Sequence, residues 1–244
     1  MRWIYLSPHL DDAVLSAGGL IYEQTQSAIP VEIWTFMCGY PQAGEVSAFA
    51  ELQHRQWGFA SAEEAMRARR AEDRNAATIL GAQAIHFDFL DCIYRRDPNG
   101  EWLYSEISVP PHAGDVELPK QIAAAISSRI TRDDILVVQL SVGSHVDHVL
   151  VRQAAELLER PLLYDIDIPY VLYKSEEFAP KSAGMKESTH FITETGLRSW
   201  QEAILEYKSQ LPLLGAALST PDDMRESIRS YWSEWKGIRL LQLR

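Results

Sequence analysis

The sequence predicts an α/β protein, with a mostly parallel sheet as the middle of three layers and helices on both faces. Three observations predict it. Short apolar runs of strand length alternate with longer segments of helical period. Gly, Pro or capping residues punctuate the joins between them. Two of the strand-like runs are followed at once by clusters of His and Asp, at the strand ends where open parallel sheets collect their ligands. The βαβ order implies parallel pairing, and the arrangement is Rossmann-like. At 244 residues and 46% apolar, the chain can build one sizeable core, and residues 1–244 read as a single domain.

The elements follow in order. Trp3–Ser7 is a strand, and Asp12–Gln24 a helix with Val14, Gly18 and Ile21 on one face. Val31–Met37, rich in β-branched and aromatic residues, is a second strand. Gly39 to Phe59 shows no strong period and contains the breakers Gly39, Pro41, Gly44 and Gly58. Ser61 with Glu64 forms a capping box that starts a helix running to about Leu80, with Gly81 as its stop. Ile85–Phe89 is a third strand, and Asp97–Gly114 a long excursion of the kind that is functional or mobile. Leu118–Thr131 is a helix, Ile135–Leu140 a strand, Val146–Leu158 a helix and Leu162–Ile166 a strand. Farther on, Leu197–Tyr207 is helical. Thr220-Pro221-Asp222-Asp223 opens a last helix with Met224, Ile228, Tyr231 and Trp235 as its apolar stripe, ended by Gly237. The aromatic stripes are read as core.

Charge and composition exclude several classes. With Lys+Arg 23 against Asp+Glu 34, the net charge is −11, which argues against nucleic acid or an anionic membrane as partner. No apolar stretch nears the roughly 20 residues of a membrane span. No signal peptide is visible, and Cys38 and Cys92 stand apart, as reduced thiols of a cytoplasmic protein do.

The chemistry concentrates in His9-Leu10-Asp11-Asp12 and His145-Val146-Asp147-His148. Alone, Asp12 reads as a helix cap and His9 as a buried, hydrogen-bonded histidine. Together, two adjacent carboxylates at a buried strand end repel, and a divalent cation relieves that by taking one as a ligand while its neighbour stays free to accept a proton. His145 and His148 are spaced to share a face of a first helical turn, and Gly143 permits the tight turn before them. One of the pair can bind metal while the other donates to a reacting oxygen. Asp147 either orients a ring or stabilises the helix N-terminus. His54, His86, His112 and His190 lack partners at metal spacing; His86 reads as structural, and His54 either lines a cleft or does not. Arg67, Arg69 and Arg70 read by default as a solvated helix face.

Ser7-Pro8-His9-Leu10-Asp11-Asp12 and Ser144-His145-Val146-Asp147-His148 resemble the two signatures of the PIG-L/LmbE-like N-deacetylases, zinc enzymes that remove acyl groups, usually acetyl, from amino sugars. The resemblance extends through Arg69-Arg70-Ala71-Glu72-Asp73, Leu80-Gly81, Phe89-Leu90-Asp91, Asp167-Ile168-Pro169-Tyr170 and Tyr207-Lys208-Ser209-Gln210. It implies an LmbE-like fold, one Zn2+ held by His9, Asp12 and His148, and Asp11 as the base that activates water. It makes His145 the group that stabilises the oxyanion and can protonate the leaving amine. Arg69 and Asp91 fall at sugar-binding positions, with Arg70 a rival to Arg69. The implied partner is a small N-acetylglucosaminyl compound. Leu10 replaces a commoner proline and Ala13 a commoner acidic residue, which points to a sub-branch with its own substrate. The residues alone leave the metal open among zinc, iron, cobalt and manganese, and the oligomeric state open as well, a homo-oligomer included.

Rival readings fare worse. A dinucleotide enzyme needs G-x-G-x-x-G where this chain has His9-Leu10-Asp11-Asp12, and Ser141 and Ser144 lack the G-x-S-x-G elbow of a serine hydrolase. A non-catalytic metal- or carbohydrate-binding module is the remaining alternative.

Overall fold

The computed structural model describes residues 1–215 and 218–243. In chain order the elements are β1 (Trp3–Ser7), α1 (Asp12–Gln26), β2 (Val31–Thr35), α2 (Ala48–Trp57), α3 (Ala62–Ile79), β3 (Gln83–His86), α4 (Leu118–Ser127) and β4 (Ile135–Gln139). There follow α5 (Val146–Glu156), β5 (Leu163–Asp165), α6 (Tyr170–Tyr173), α7 (Phe178–Lys181), β6 (Met185–Phe191), α8 (Glu194–Ile204), α9 (Pro221–Trp235) and β7 (Gly237–Leu243). The strands form one sheet in the order β3-β2-β1-β4-β5-β7-β6. The first five are parallel, and β7 joins β5 and β6 antiparallel.

β1 is the middle one of the five parallel strands, with Trp3 level with Val31 on one side and Ile135 on the other. The chain winds outward from β1 to β3 on one side and then from β4 to β5 on the other. Right-handed crossovers therefore put α1 and α3 on one face and α4 and α5 on the opposite one. The packing agrees: α8 lies on α1 and α3, whereas α4 lies on α5. The point where the winding reverses, between β1 and β4, is the crevice where ligands bind in such sheets. Both His/Asp clusters leave the sheet there. β1 and β4 are buried on both faces, as a parallel sheet covered by two helix layers requires.

Three sequence expectations are corrected. The irregular stretch from Gly39 to Phe59 contains α2, started by Ser47, whose side chain accepts from the Ala50 N–H, and stopped by Gly58 at φ 80°. Only Ala50 and His54 of α2 are buried, so its apolar period is weak. The strand placed at Ile85–Phe89 runs instead over Gln83–His86, because its neighbour β2 ends at Thr35, opposite His86. Phe87 continues as core beyond the ladder, its ring 4.7 Å from that of Phe36. Finally, the sheet gains β6 and β7 after residue 166. Gly237 does not end α9; Lys236 does, in the left-handed region at φ 52°. Gly237 is the first residue of β7, where a Cβ would stand 2.0 Å from the His190 carbonyl oxygen. In α9, Met224, Ile228, Tyr231 and Trp232 are buried and Trp235 only partly so. The caps at Ser61 and Thr220 form as the sequence implies, accepting from the N–H groups of Glu64 and Asp223.

Candidate active site

The loop after β1 is built to release two carboxylates. Asp11 is the N-cap residue of α1 and Asp12 its first residue, yet the Asp11 side chain makes no capping hydrogen bond. Ser7 does that work instead. Its Oγ accepts from the Ala13 N–H at 3.1 Å and donates to the His9 carbonyl at 2.7 Å. The Asp12 carboxylate turns away from the helix and accepts from the His9 N–H at 2.7 Å, so the capping reading of Asp12 is corrected. Asp11 takes a strained backbone, φ 155° and ψ −34°, which a non-glycine residue holds only when its surroundings enforce it.

The second cluster opens α5. His145 is the N-cap, and its Nδ1 accepts from the Asp147 N–H at 3.1 Å. The Val146 N–H donates to the Ile107 carbonyl at 2.8 Å, which ties the 97–114 excursion to the helix start. The turn ahead of it passes through Gly143 at φ 88°, where a Cβ would lie 2.2 Å from the Tyr170 ring. Here only glycine fits, on both counts.

The two clusters meet. Asp12 Oδ2 stands 3.3 Å from His9 Nδ1 and 3.4 Å from His148 Nε2. Behind each ring stands a further carboxylate: Asp147 Oδ2 accepts from His9 Nε2 at 3.0 Å, and Asp167 Oδ1 lies 3.3 Å from His148 Nδ1. Such outer carboxylates fix the tautomer of a metal-binding histidine and aim its other nitrogen at the ion. Ligand atoms about 2.1 Å from a tetrahedral ion stand about 3.4 Å apart, so both measured edges suit such a site. His9, His145 and His148 also each present a nitrogen within 4.8 Å of the others. As third ligand Asp12 is the better choice, because the His145 Nδ1 lone pair is already filled by the Asp147 N–H.

The electrostatics divide the acids. Burial and then the neighbouring Asp12 charge push the Asp11 carboxyl up to about 8. Burial favours the same for Asp12, but the His148 and His9 rings hold it well below the usual carboxylate range. Asp147, against the effect of burial, is held low by Arg95 and His9. Burial disfavours a charged His9, yet Asp12, Asp147 and Asp91 drive its pKa well up. Burial, with the His9 and His148 rings, drives His145 well down. Because Nδ1 accepts from the Asp147 N–H, the neutral ring carries its proton on Nε2.

A cavity of about 170 Å³ opens over the cluster, lined by His9, Asp11, Asp12, His145, Arg69 and Asp91. Trp57, Ile107, Tyr170, Tyr173, Leu213 and Leu214 are among the other residues that line it. Asp147 and His148 lie behind this lining, 0% and 1% exposed. Arg69 is buried, not part of a solvated face; its guanidinium lies over the Trp57 ring at 4.7 Å and its Nε has no hydrogen-bond partner among the described residues. Arg70 points elsewhere, donating to the Cys38 and Phe87 carbonyls and pairing with Asp88. Of the three arginines only Arg67 is exposed. Asp91 caps the short 3-10 turn Cys92–Tyr94 through the Ile93 N–H, and its other oxygen is 3.8 Å from His9 Nε2. A larger hollow of about 930 Å³ lies by α2, lined by His54, Arg55 and Arg67, and holds none of the paired His/Asp residues. His54 bonds the Tyr94 hydroxyl at 2.6 Å, and His86 bonds Asp73 at 2.7 Å.

The sequence model of the family described as PIG-L, GlcNAc-PI de-N-acetylase, matches residues 4–158. The chain belongs to the PIG-L family. No curated protein matches it significantly. Among solved structures, this PIG-L chain is similar to the zinc-inhibited form of teicoplanin deacetylase Orf2, at 28% identity and TM-score 0.85 over 99% of this chain and 97% of that one. It is similar to A40926 pseudoaglycone deacetylase Dbv21, at 28% identity and TM-score 0.76 over 99% and 96%. The N,N'-diacetylchitobiose deacetylase of Pyrococcus horikoshii, at 16% identity and TM-score 0.58 over 99% and 81%, shares the fold.

Two stretches that are weak as motifs gain meaning from the PIG-L fold. Glu72 accepts from the Ser209 N–H and hydroxyl at 3.0 and 2.6 Å, and Asp73 accepts from the Tyr207 hydroxyl at 2.8 Å. They lock Gln210 at the cavity wall. Sequence reasoning missed Arg95 and the role of Asp167 behind His148; neither has its charged partner nearby in sequence to give it away.

Proposed function

We propose that residues 1–244 form a single deacetylase domain that hydrolyses the N-acetyl group of an amino sugar, an N-acetylglucosaminyl compound, to free amine and acetate. His9, Asp12 and His148 would hold one divalent ion, Zn2+ in this reading. Bound there, the ion supplies Lewis acidity to the amide carbonyl and to water. One observation carries the reading: Asp12 stands between two histidines that are each backed by a carboxylate, while Asp11 beside it is left uncapped and faces the cavity. Two relatives that align over nearly all of the chain at 28% identity and are described as deacetylases support it.

Asp11 takes the proton of the attacking water. His145, with its proton on Nε2, donates a hydrogen bond to the carbonyl oxygen as negative charge develops there. Because Asp147 N–H fills the other nitrogen, the ring has no second proton to give, and Asp11 returns its proton to the leaving nitrogen. Arg69, with its orphaned Nε, and Asp91 bind sugar hydroxyls. Tyr170, Tyr173, Leu213 and Leu214 keep bulk water from the mouth. Asp147 holds the His9 ring. The two buried free cysteines support the cytoplasm as the working compartment. Among the described residues no helix is long and apolar enough to cross a membrane.

The test is a panel of N-acetylated sugars, glycosides and nucleotide sugars. The expected result is acetate and amine in equal amounts, abolished by chelation and restored by no more than one equivalent of zinc. Metal-dependent cleavage of phosphoesters or peptides with no acetate from any sugar would leave the metal site standing and remove the deacetylase reading.

A further inference from the structure

Arg95 follows the 3-10 turn Cys92–Tyr94 and is 7% exposed, yet it touches neither the cavity nor any cluster residue that lines it. A buried guanidinium is costly unless its partners are charged. It has two. Nη2 lies 2.6 Å from Asp147 Oδ1, and Nε lies 2.9 Å from Asp115 Oδ2. Both are close, buried ion pairs. Nη1 donates to the Leu90 carbonyl at 2.9 Å, and the Tyr104 ring lies 5.1 Å from the guanidinium carbon. The Tyr104 hydroxyl in turn donates to Asp115 at 2.6 Å and accepts from the His112 N–H at 2.8 Å.

Asp147 is the hinge of this arrangement. Its Oδ1 faces Arg95, while its Oδ2 accepts from His9 Nε2 and from the Cys92 N–H, both at 3.0 Å. A carboxylate free to rotate would hold the His9 ring loosely, and one that lost its charge partner would hold it less strongly. We propose that Arg95 is a positioning residue for the metal ligand His9, acting through Asp147, and that the same guanidinium ties the 97–115 segment to the centre through Asp115. The inference rests on the metal-site reading above and adds a residue that touches neither ion nor substrate.

The experiment measures the zinc dissociation constant by chelator competition, on the full chain, for wild type, Arg95→Met, Asp147→Leu and the double variant. Outer partners of metal-binding histidines are worth on the order of 10–100-fold in affinity, and Arg95→Met is expected to lose in that range. Because Arg95 acts through Asp147, the double variant should bind zinc about as weakly as Asp147→Leu alone. Wild-type affinity in Arg95→Met, or losses that add fully in the double variant, would overturn the proposal while leaving the metal site intact. A wild-type chain that binds no zinc would overturn both, so the two failures are told apart by the wild type. Should Arg95→Met fail to fold, Arg95→Lys carries the test. It keeps the charge but not the two-pronged reach, and a smaller loss of zinc affinity is expected; an unchanged affinity would overturn the proposal.

Discussion

At the scale of single residues, the centre depends on who caps α1. Two aspartates stand where a helix would normally use them on its own free N–H groups, a bond worth about 1 kcal/mol each time it is made. Ser7 supplies it from the strand end, and both carboxylates are released. Asp12 then sits between His9 and His148, and Asp11 remains without such a partner. Asp11→Asn keeps the shape and removes the proposed base. It should retain metal at wild-type stoichiometry and lose on the order of 10²–10⁴ in kcat. Turnover near wild type would move the proton transfer to another group. His9, Asp11, Asp12, His145 and His148 were legible because each cluster is compact in sequence and follows an apolar run. Arg95 and Asp167 were not, since their meaning lies in contacts with residues far along the chain.

Among elements, α1 packs closely against α8. Gly18 faces the indole of Trp200, whose Nε1 donates to the Val14 carbonyl at 2.8 Å. A Cβ at Gly18 would meet Trp200 Cδ1 at 2.5 Å, and Trp200 is 0% exposed, so the ring has nowhere to go. Alanine is the better helix former by about 1 kcal/mol, while overpacking costs about 1–3 kcal/mol. Gly18→Ala should therefore be destabilising, seen as a lower urea midpoint with unchanged slope. A midpoint at or above wild type would show slack between the helices. The central strands were readable because burial on both faces leaves an unbroken apolar run. β6 was not: Lys186, Glu187, Ser188 and Thr189 are all exposed on the sheet edge, and nothing apolar alternates there. α2 was hidden likewise, with two buried residues to set its period.

For the whole molecule, a metal held at the proposed site would also be a stabiliser. Binding the folded state alone at 100 times the dissociation constant contributes about 2.7 kcal/mol. For a chain of this size that is a rise of roughly 5–10 °C in Tm. Zinc at that excess should produce such a shift by calorimetry, and His148→Ala should abolish it; an equal shift in His148→Ala would take that residue out of the ligand set. The placement of the ligands at the crossing of the winding has one more consequence. His9 and its partner Asp147 are 138 positions apart in sequence, and they meet only because β1 and β4 are neighbours. During synthesis the first cluster leaves the ribosome long before the second exists, and long-range parallel pairing is slow to form. A nascent chain thus carries His9 and Asp12 of the proposed ligand set before His148 exists. If the proposed site holds an ion, that ion binds only after β1 and β4 have paired, so its capture reports that the middle of the sheet has closed.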